Sequence, residues 1–132
     1  SSAASDVYKR QAKYPVYAET MQGMYDARRA HFQMLVDSGV LLLMGTDSGG
    51  YQEHGTIAGE LDLWLQWGAP AQLTIDAATW VSQRYLGYPG LVEGGPADFL
   101  ILDEDPRDNP TILAKPVRVT VGGTSVWERP SA

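Results

Sequence analysis

The sequence predicts an α/β fold organised around a buried strand at Val40–Met44. These five apolar residues follow Gly39 and precede the glycine- and serine-rich turn Gly45–Gly50. A short apolar run between turn residues is typical of a strand that is buried on both faces, as in a parallel sheet. A helical pattern precedes the run, and a single glycine separates the two. Helix, short turn and buried strand together form half of a βαβ unit.

The helical pattern extends from Val16 to Ser38. Its apolar residues recur at steps of three, four and seven, and charged residues fill the opposite positions. The apolar face consists of Met21, Met24, Tyr25, Phe32, Leu35 and Val36. Gly39 is expected to end this helix by taking the left-handed conformation.

Two more helices are predicted after the turn. The first ends at Gly68, and its expected buried face consists of Ile57, Leu61, Trp64 and Leu65. The second begins near Pro70, which suits a first helical turn, and ends at Gly87. Its expected inward stripe consists of Leu73, Ala77, Ala78, Val81 and Tyr85.

The last third of the chain is predicted to form strands. Ala97–Leu102 is a short apolar run, and Val117–Val121 alternates between apolar and polar residues. The glycine pair Gly122–Gly123 then turns the chain towards Thr124–Trp127, which predicts a hairpin.

A single helical turn and one side-chain hydrogen bond are also predicted in this part of the chain. Asn109–Leu113 is predicted to form one helical turn, with Asn109 as its cap and Pro110 at its first position. Asp98 follows a glycine-rich turn, opens the first strand and is expected to hydrogen-bond that turn.

Composition narrows the classes of function. The 132 residues suggest one domain, and a formal charge of -6 argues against nucleic acid or an anionic membrane surface as partner, because both would repel the chain. The absence of cysteine excludes disulfides and thiolate metal sites.

Asp47 is the first candidate for a functional residue. It lies in the turn after the predicted strand, where α/β proteins place catalytic groups. The same residue could be a turn aspartate whose side chain bonds the following backbone amides. The residues alone favour neither alternative. His54 is a weaker candidate, since a substrate contact and a loop histidine without a special role are equally compatible with its position.

An ordered set of motifs resembles the carboxyl-terminal third of the amidohydrolase superfamily, in particular its imidazolonepropionase-like and prolidase-like branch. The motifs are GVLLLMGTDSGG at Gly39–Gly50, HG at His54–Gly55, EL at Glu60–Leu61, GAPAQLTIDAAT at Gly68–Thr79, LG at Leu86–Gly87, GLVEGGPADFLILDEDP at Gly90–Pro106 and VRVTVGG at Val117–Gly123. Single motifs of this kind are common, whereas their order and spacing together are specific.

The resemblance implies an incomplete fold. Residues 16–90 would be the carboxyl-terminal part of a (β/α)8 TIM-like barrel, namely its last strand and the flanking helices. Residues 91–132 would be part of a small composite β-sandwich domain. Residues 1–15 are expected to be a disordered or artefactual leader, because Asp6–Gln11 match the translation of a transposon-end adapter.

The resemblance also implies a chemistry. Asp47 would be a metal ligand and the proton acceptor of the attacking water. His54 stays a substrate-side candidate and is not expected to be a metal ligand. The metal would be divalent, with zinc expected, and the substrate would be a small-molecule amide, cyclic amide or dipeptide. Two histidines that form no His-x-His pair supply too few ligands for such a centre. We therefore expect the isolated chain to be inactive, and the rival interpretation is a non-catalytic binding or regulatory module derived from an amidohydrolase.

Overall fold

Helices occupy the first part of the described chain, and a small antiparallel sheet occupies the last part. The computed structural model describes residues 15–50 and 53–130, so the predicted leader lies outside the described residues except for Pro15. The helices are α1 (Pro15–Ser38), α2 (Ile57–Gln66), α3 (Ala71–Ala78) and α4 (Trp80–Tyr85), and a 3-10 helix spans Pro110–Ala114. The strands are β1 (Phe99–Ile101), β2 (Arg118–Val121) and β3 (Thr124–Glu128). The chain divides into two units between Val40 and Leu41.

Helix α1 confirms the first predicted helix almost to the residue. Gly39 follows it with a φ of 69°, and its N–H donates to the carbonyl of Val36 at 3.3 Å, so the predicted left-handed stop is present. Phe32 is buried, whereas four other residues of the predicted apolar face are 43% to 58% exposed: Met21, Met24, Tyr25 and Leu35. No helix in the described ranges combines the length and the apolar character needed to cross a membrane.

The predicted buried strand at Val40–Met44 is wrong. The segment has no regular secondary structure and pairs with no strand in the described part of the chain, and Val40 and Leu41 are 48% and 64% exposed. One backbone hydrogen bond, from Met44 N to Ala77 O at 3.2 Å, ties it to α3. An apolar run becomes a strand only where a neighbouring strand satisfies its backbone groups, and a helix lies beside this run instead.

The predicted fold class is therefore wrong as well. The sheet has three strands in the order β1-β2-β3, and both pairings are antiparallel. Parallel strands alternating with helices would be needed for the expected α/β arrangement, the last part of a (β/α)8 barrel with part of a β-sandwich. Helices followed by a separate antiparallel sheet make the described fold a small α+β fold.

The core of the second unit lies between α2, α3 and the 3-10 helix. α2 packs against both of the other elements. Leu61 and Trp64 of α2 are buried as predicted, and Ile75, Ala77 and Ile112 complete this core. The sequence predicts Ile57 on the buried face, but it is 41% exposed because it lies in the first turn of α2, at the edge of the packed region.

The second predicted helix is two helices, α3 and α4, separated at Thr79. Thr79 has φ -129° and ψ -108°, which are not helical angles. Its hydroxyl donates to Ile75 O at 2.6 Å, and the hydroxyl of Ser82 donates to Ala77 O at 2.6 Å. Beyond the break, Tyr85 of the predicted stripe is 65% exposed instead of buried.

The sheet confirms the predicted hairpin. β2 and β3 are joined by Gly122 and Gly123, both with positive φ, and Val119 pairs with Trp127. A bulge follows Val119. The 3-10 helix confirms the predicted helical turn, but Asn109 makes no capping bond, since its amide donates to Glu104 at 2.8 Å and its oxygen accepts from Thr111 at 2.6 Å.

Candidate active site

The loop around Asp47 turns sharply because several of its residues are left-handed. Asp47 has a φ of 51°, and Gly49 and Gly55 have φ values of 112° and 86°. In the described part of the chain Asp47 is the one residue other than glycine with a positive φ. Aspartate is among the few residues that tolerate this region, because its side chain is short and polar.

Hydroxyl groups hold this loop together. Thr46 Oγ1 and Ser48 Oγ, on either side of Asp47, are 2.5 Å apart. Ser48 Oγ also donates to the carbonyl of Glu53 at 3.0 Å, and the hydroxyl of Thr56 donates to the same carbonyl at 3.3 Å. These bonds connect the turn after Met44 to the residues just before α2 and so fix the backbone on both sides of Asp47.

The carboxylate of Asp47 takes no part in this network. Its side chain is exposed, and no described residue donates a hydrogen bond to it. The turn-aspartate alternative requires bonds from the amides of Ser48, Gly49 or Gly50, and the structure contains none of these bonds. Among the described residues, the loop therefore positions this carboxylate without donating a hydrogen bond to it.

His54 lies against the same turn. A Cβ placed on Gly49 would be 3.5 Å from Cε1 and 3.9 Å from Nε2 of His54, so the imidazole packs beside this glycine. His54 is exposed, and Gly49 is two residues from Asp47. The two predicted site residues thus belong to one loop on the surface of the second unit, and their roles stay predictions.

The described residues do not form a metal centre by themselves. No three histidine, cysteine, aspartate or glutamate side chains converge within residues 15–50 and 53–130. A catalytic zinc usually needs three protein ligands, so Asp47 alone does not fit a bound metal. Any further ligands would have to come from residues outside these ranges.

Among the described residues, the strongest electrostatic perturbation lies elsewhere, in the turn after β1. The Arg107 side chain and backbone N–H both bond the Asp105 carboxylate, and they hold its pKa at about 2, below its ordinary value of 3.8. Asp105 raises the pKa of Arg107 in return. Asp103 pairs with Arg129 at 2.5 Å. These acids are used in local ion pairs at the surface and do not gather around an open cation position.

Comparisons with known proteins give relatives but no family. No protein-family model matches the chain. It is similar to proteins of Mycobacterium bovis and of two strains of Mycobacterium tuberculosis, each named an uncharacterized protein. The identity is 36% over 111 residues, which are 84% of this chain and 30% of each relative. The chain therefore spans about a third of the length of the curated relatives it matches.

The sequence predicts the turn at Asp47 but not the interactions that hold it. The hydroxyls of Thr46, Ser48 and Thr56 had a signal in the sequence, because two of them flank the candidate aspartate. The left-handed backbone of Asp47 had none, since aspartate occurs in many turn conformations. The contact of His54 with Gly49 depends on the path of the intervening loop, and no local pattern encodes that path.

Proposed function

We propose that this chain is the carboxyl-terminal part of a metal-dependent hydrolase that cleaves C–N bonds in amides, cyclic amides or dipeptides. The observation that carries the proposal is the state of Asp47. Its backbone is left-handed, its loop is fixed by neighbouring hydroxyls, and its carboxylate is exposed with no donor among the described residues. A carboxylate presented in this way is available to a reactant.

The ordered motifs that resemble amidohydrolases support the same reaction class. Asp47 would accept the proton of the attacking water and return it to the leaving nitrogen, so that charge stays balanced while the C–N bond breaks. A divalent metal, with zinc expected, would activate that water when bound. Asp47 would then be one ligand among several, and the length of the relatives leaves room for the others in a longer polypeptide. His54 is proposed to contact the substrate from the same loop.

The competing proposal is a non-catalytic binding or regulatory module. It predicts that the polypeptide encoded by the complete reading frame holds no hydrolytic metal and that Asp47 is dispensable. The enzyme proposal predicts upstream sequence with a His-x-His pair and further ligands. Recovery of the complete reading frame is therefore the first test.

The second test measures metal content and hydrolysis in that complete polypeptide. Dipeptides and cyclic amides serve as substrates, before and after chelation. Asp47→Asn keeps the shape and removes the charge, and we expect the rate to fall by about a hundredfold to ten-thousandfold. Asp62→Asn is the matched control, because Asp62 is an exposed acid on α2. Equal hydrolysis rates in Asp47→Asn and Asp62→Asn would favour the non-catalytic module. So would a complete polypeptide that shows no hydrolysis and contains no metal.

A further inference from the structure

A groove in the second unit lies between the 3-10 helix and the hairpin. Its volume is about 810 Å³, within the range of roughly 300 to 1,000 Å³ that is usual for small-molecule sites. Its apolar lining comes from Ile112, Pro116, Val119 and Trp127. Ile112 is buried and supports the others from the core, whereas Trp127 is 44% exposed. The groove therefore offers one aromatic ring and several aliphatic groups to a ligand.

The rim of the groove carries an ion pair and a cation. Arg129 donates to Asp103 at 2.5 Å and to the carbonyl of Lys115 at 2.7 Å, and its backbone N–H donates to Val117 at 2.9 Å. The charge of Arg129 is thus balanced by Asp103. These bonds also fix the backbone of Lys115 at the edge of the groove.

Of the charged side chains that line the groove, Lys115 has no ion-pair partner among the described residues. Its side chain is exposed and lines the groove, and no carboxylate of the described residues lies within ion-pair distance of it. The chain as a whole carries a formal charge of -6, so a local excess of positive charge beside an apolar surface is unusual here. The combination complements a ligand with a negative head and an apolar body.

We propose that this groove binds a small amphipathic monocarboxylate, with its carboxylate on Lys115 and its aromatic or branched hydrocarbon part on Trp127 and Val119. A cationic ligand would be repelled by Lys115. A neutral ligand would gain the apolar contacts but not the ion pair. Asp47 and His54 are not among the residues that line the groove, although Gly55 of the same loop is. The proposal uses neither Asp47 nor His54, so it does not depend on the proposed hydrolase activity.

Three probes with one aromatic ring test the charge preference. Phenylacetate, phenylacetamide and phenethylamine are titrated into the full 132-residue chain, and binding is followed by calorimetry and by the indole N–H signals in NMR spectra. The Trp127 signal is assigned with Trp127→Phe. We expect phenylacetate to bind about fivefold more tightly than the amide, which is the size of a part-exposed ion pair, and the amine to bind most weakly. The shifts are expected at Trp127 and not at Trp64, Trp67 or Trp80.

Substitutions then test the proposed carboxylate contact. Lys115→Gln is expected to remove the preference for phenylacetate over the amide, and Lys115→Arg to keep it. Arg84→Gln removes an exposed positive charge from α4 and is expected to change nothing. Asp47→Asn should also leave this binding unaltered. The proposal would be overturned by equal binding of the three probes, by a preference that survives Lys115→Gln, by shifts confined to other tryptophans, or by no binding at all.

Discussion

Asp98 Oδ1 accepts a hydrogen bond of 2.6 Å from the backbone N–H of Gly122, 24 residues further along the chain. The carbonyl of Ala97 accepts a second bond from Gly123 at 3.1 Å. The start of β1 is thereby attached to the turn between β2 and β3. The sequence predicts a bond from Asp98 to the glycine-rich turn that precedes it, whereas the structure has the bond to the turn that closes the hairpin.

Removal of this bond is expected to weaken the sheet. Asp98→Ala should lower the free energy of unfolding by about 1 kcal/mol, because a hydrogen bond to a charged acceptor is lost while solvent partly replaces it. Urea denaturation measures the change. Asp62→Ala, at an exposed helical site, should stay within about 0.5 kcal/mol of the parent. Equal effects of the two substitutions would contradict the structural role of Asp98.

Truncation of Ile75 should be the more damaging of two isoleucine substitutions. Ile75 is 1% exposed and Ile57 is 41% exposed. Ile75→Ala is expected to lower the free energy of unfolding by about 2 to 4 kcal/mol, because it removes buried methyl groups and leaves a cavity. Ile57→Ala should have less than half of that effect, since much of its side chain is already in water. Thermal unfolding of both variants checks the order, and a larger effect at Ile57 would place the core elsewhere.

Asp105 should titrate at unusually low pH. Its folded pKa of about 2 lies below its ordinary value of 3.8, because Arg107 bonds the charged form. The ion pair therefore contributes to stability above about pH 3.8, and the contribution is lost as the pH falls towards 2. NMR titration of the side-chain carboxyl carbon gives the pKa directly. In Arg107→Gln we expect it to return towards 3.8, and an unchanged low value would mean that Arg107 is not the cause.

If position 47 serves chemistry and not folding, aspartate there should give a less stable protein than glycine. Its φ of 51° suits glycine better, so Asp47→Gly is expected to raise the free energy of unfolding by about 0.5 to 1 kcal/mol. Asp47→Ala should lower it, because alanine has neither the freedom of glycine nor the polar side chain of aspartate. Chemical denaturation of the three proteins gives the order. A loss of stability in Asp47→Gly would mean that the carboxylate supports the fold.

Local patterns predicted the first helix and the hairpin well. α1 ends where Gly39 forces a left-handed residue, and β2 and β3 meet at the glycine pair Gly122–Gly123. In both places the deciding feature is a backbone conformation that few residues other than glycine adopt. Such features act over a few residues, so the sequence contains what is needed to predict them.

Long-range pairing was not predictable in the same way. Val40–Met44 has the composition of a buried strand, yet the conformation of this segment depends on which element lies beside it. The break at Thr79 also escaped prediction, because the apolar stripe continues through it as in one helix. For the candidate site, the sequence pattern places Asp47 in a turn. The hydroxyl bonds that fix the backbone on both sides of Asp47, and the lack of a described donor to its carboxylate, are visible only in the structure.

The interruption between α3 and α4 determines where the apolar segment before Asp47 is held. In a continuous helix the carbonyl of Ala77 would accept the N–H four residues later. Here it accepts from Ser82 Oγ and from the backbone of Met44, three residues before Asp47. The geometry of the candidate loop thus depends on a defect in a helix more than thirty positions away. A sequence change that made the helix continuous would occupy the carbonyl of Ala77 and release Met44 from it, without altering any residue of the loop.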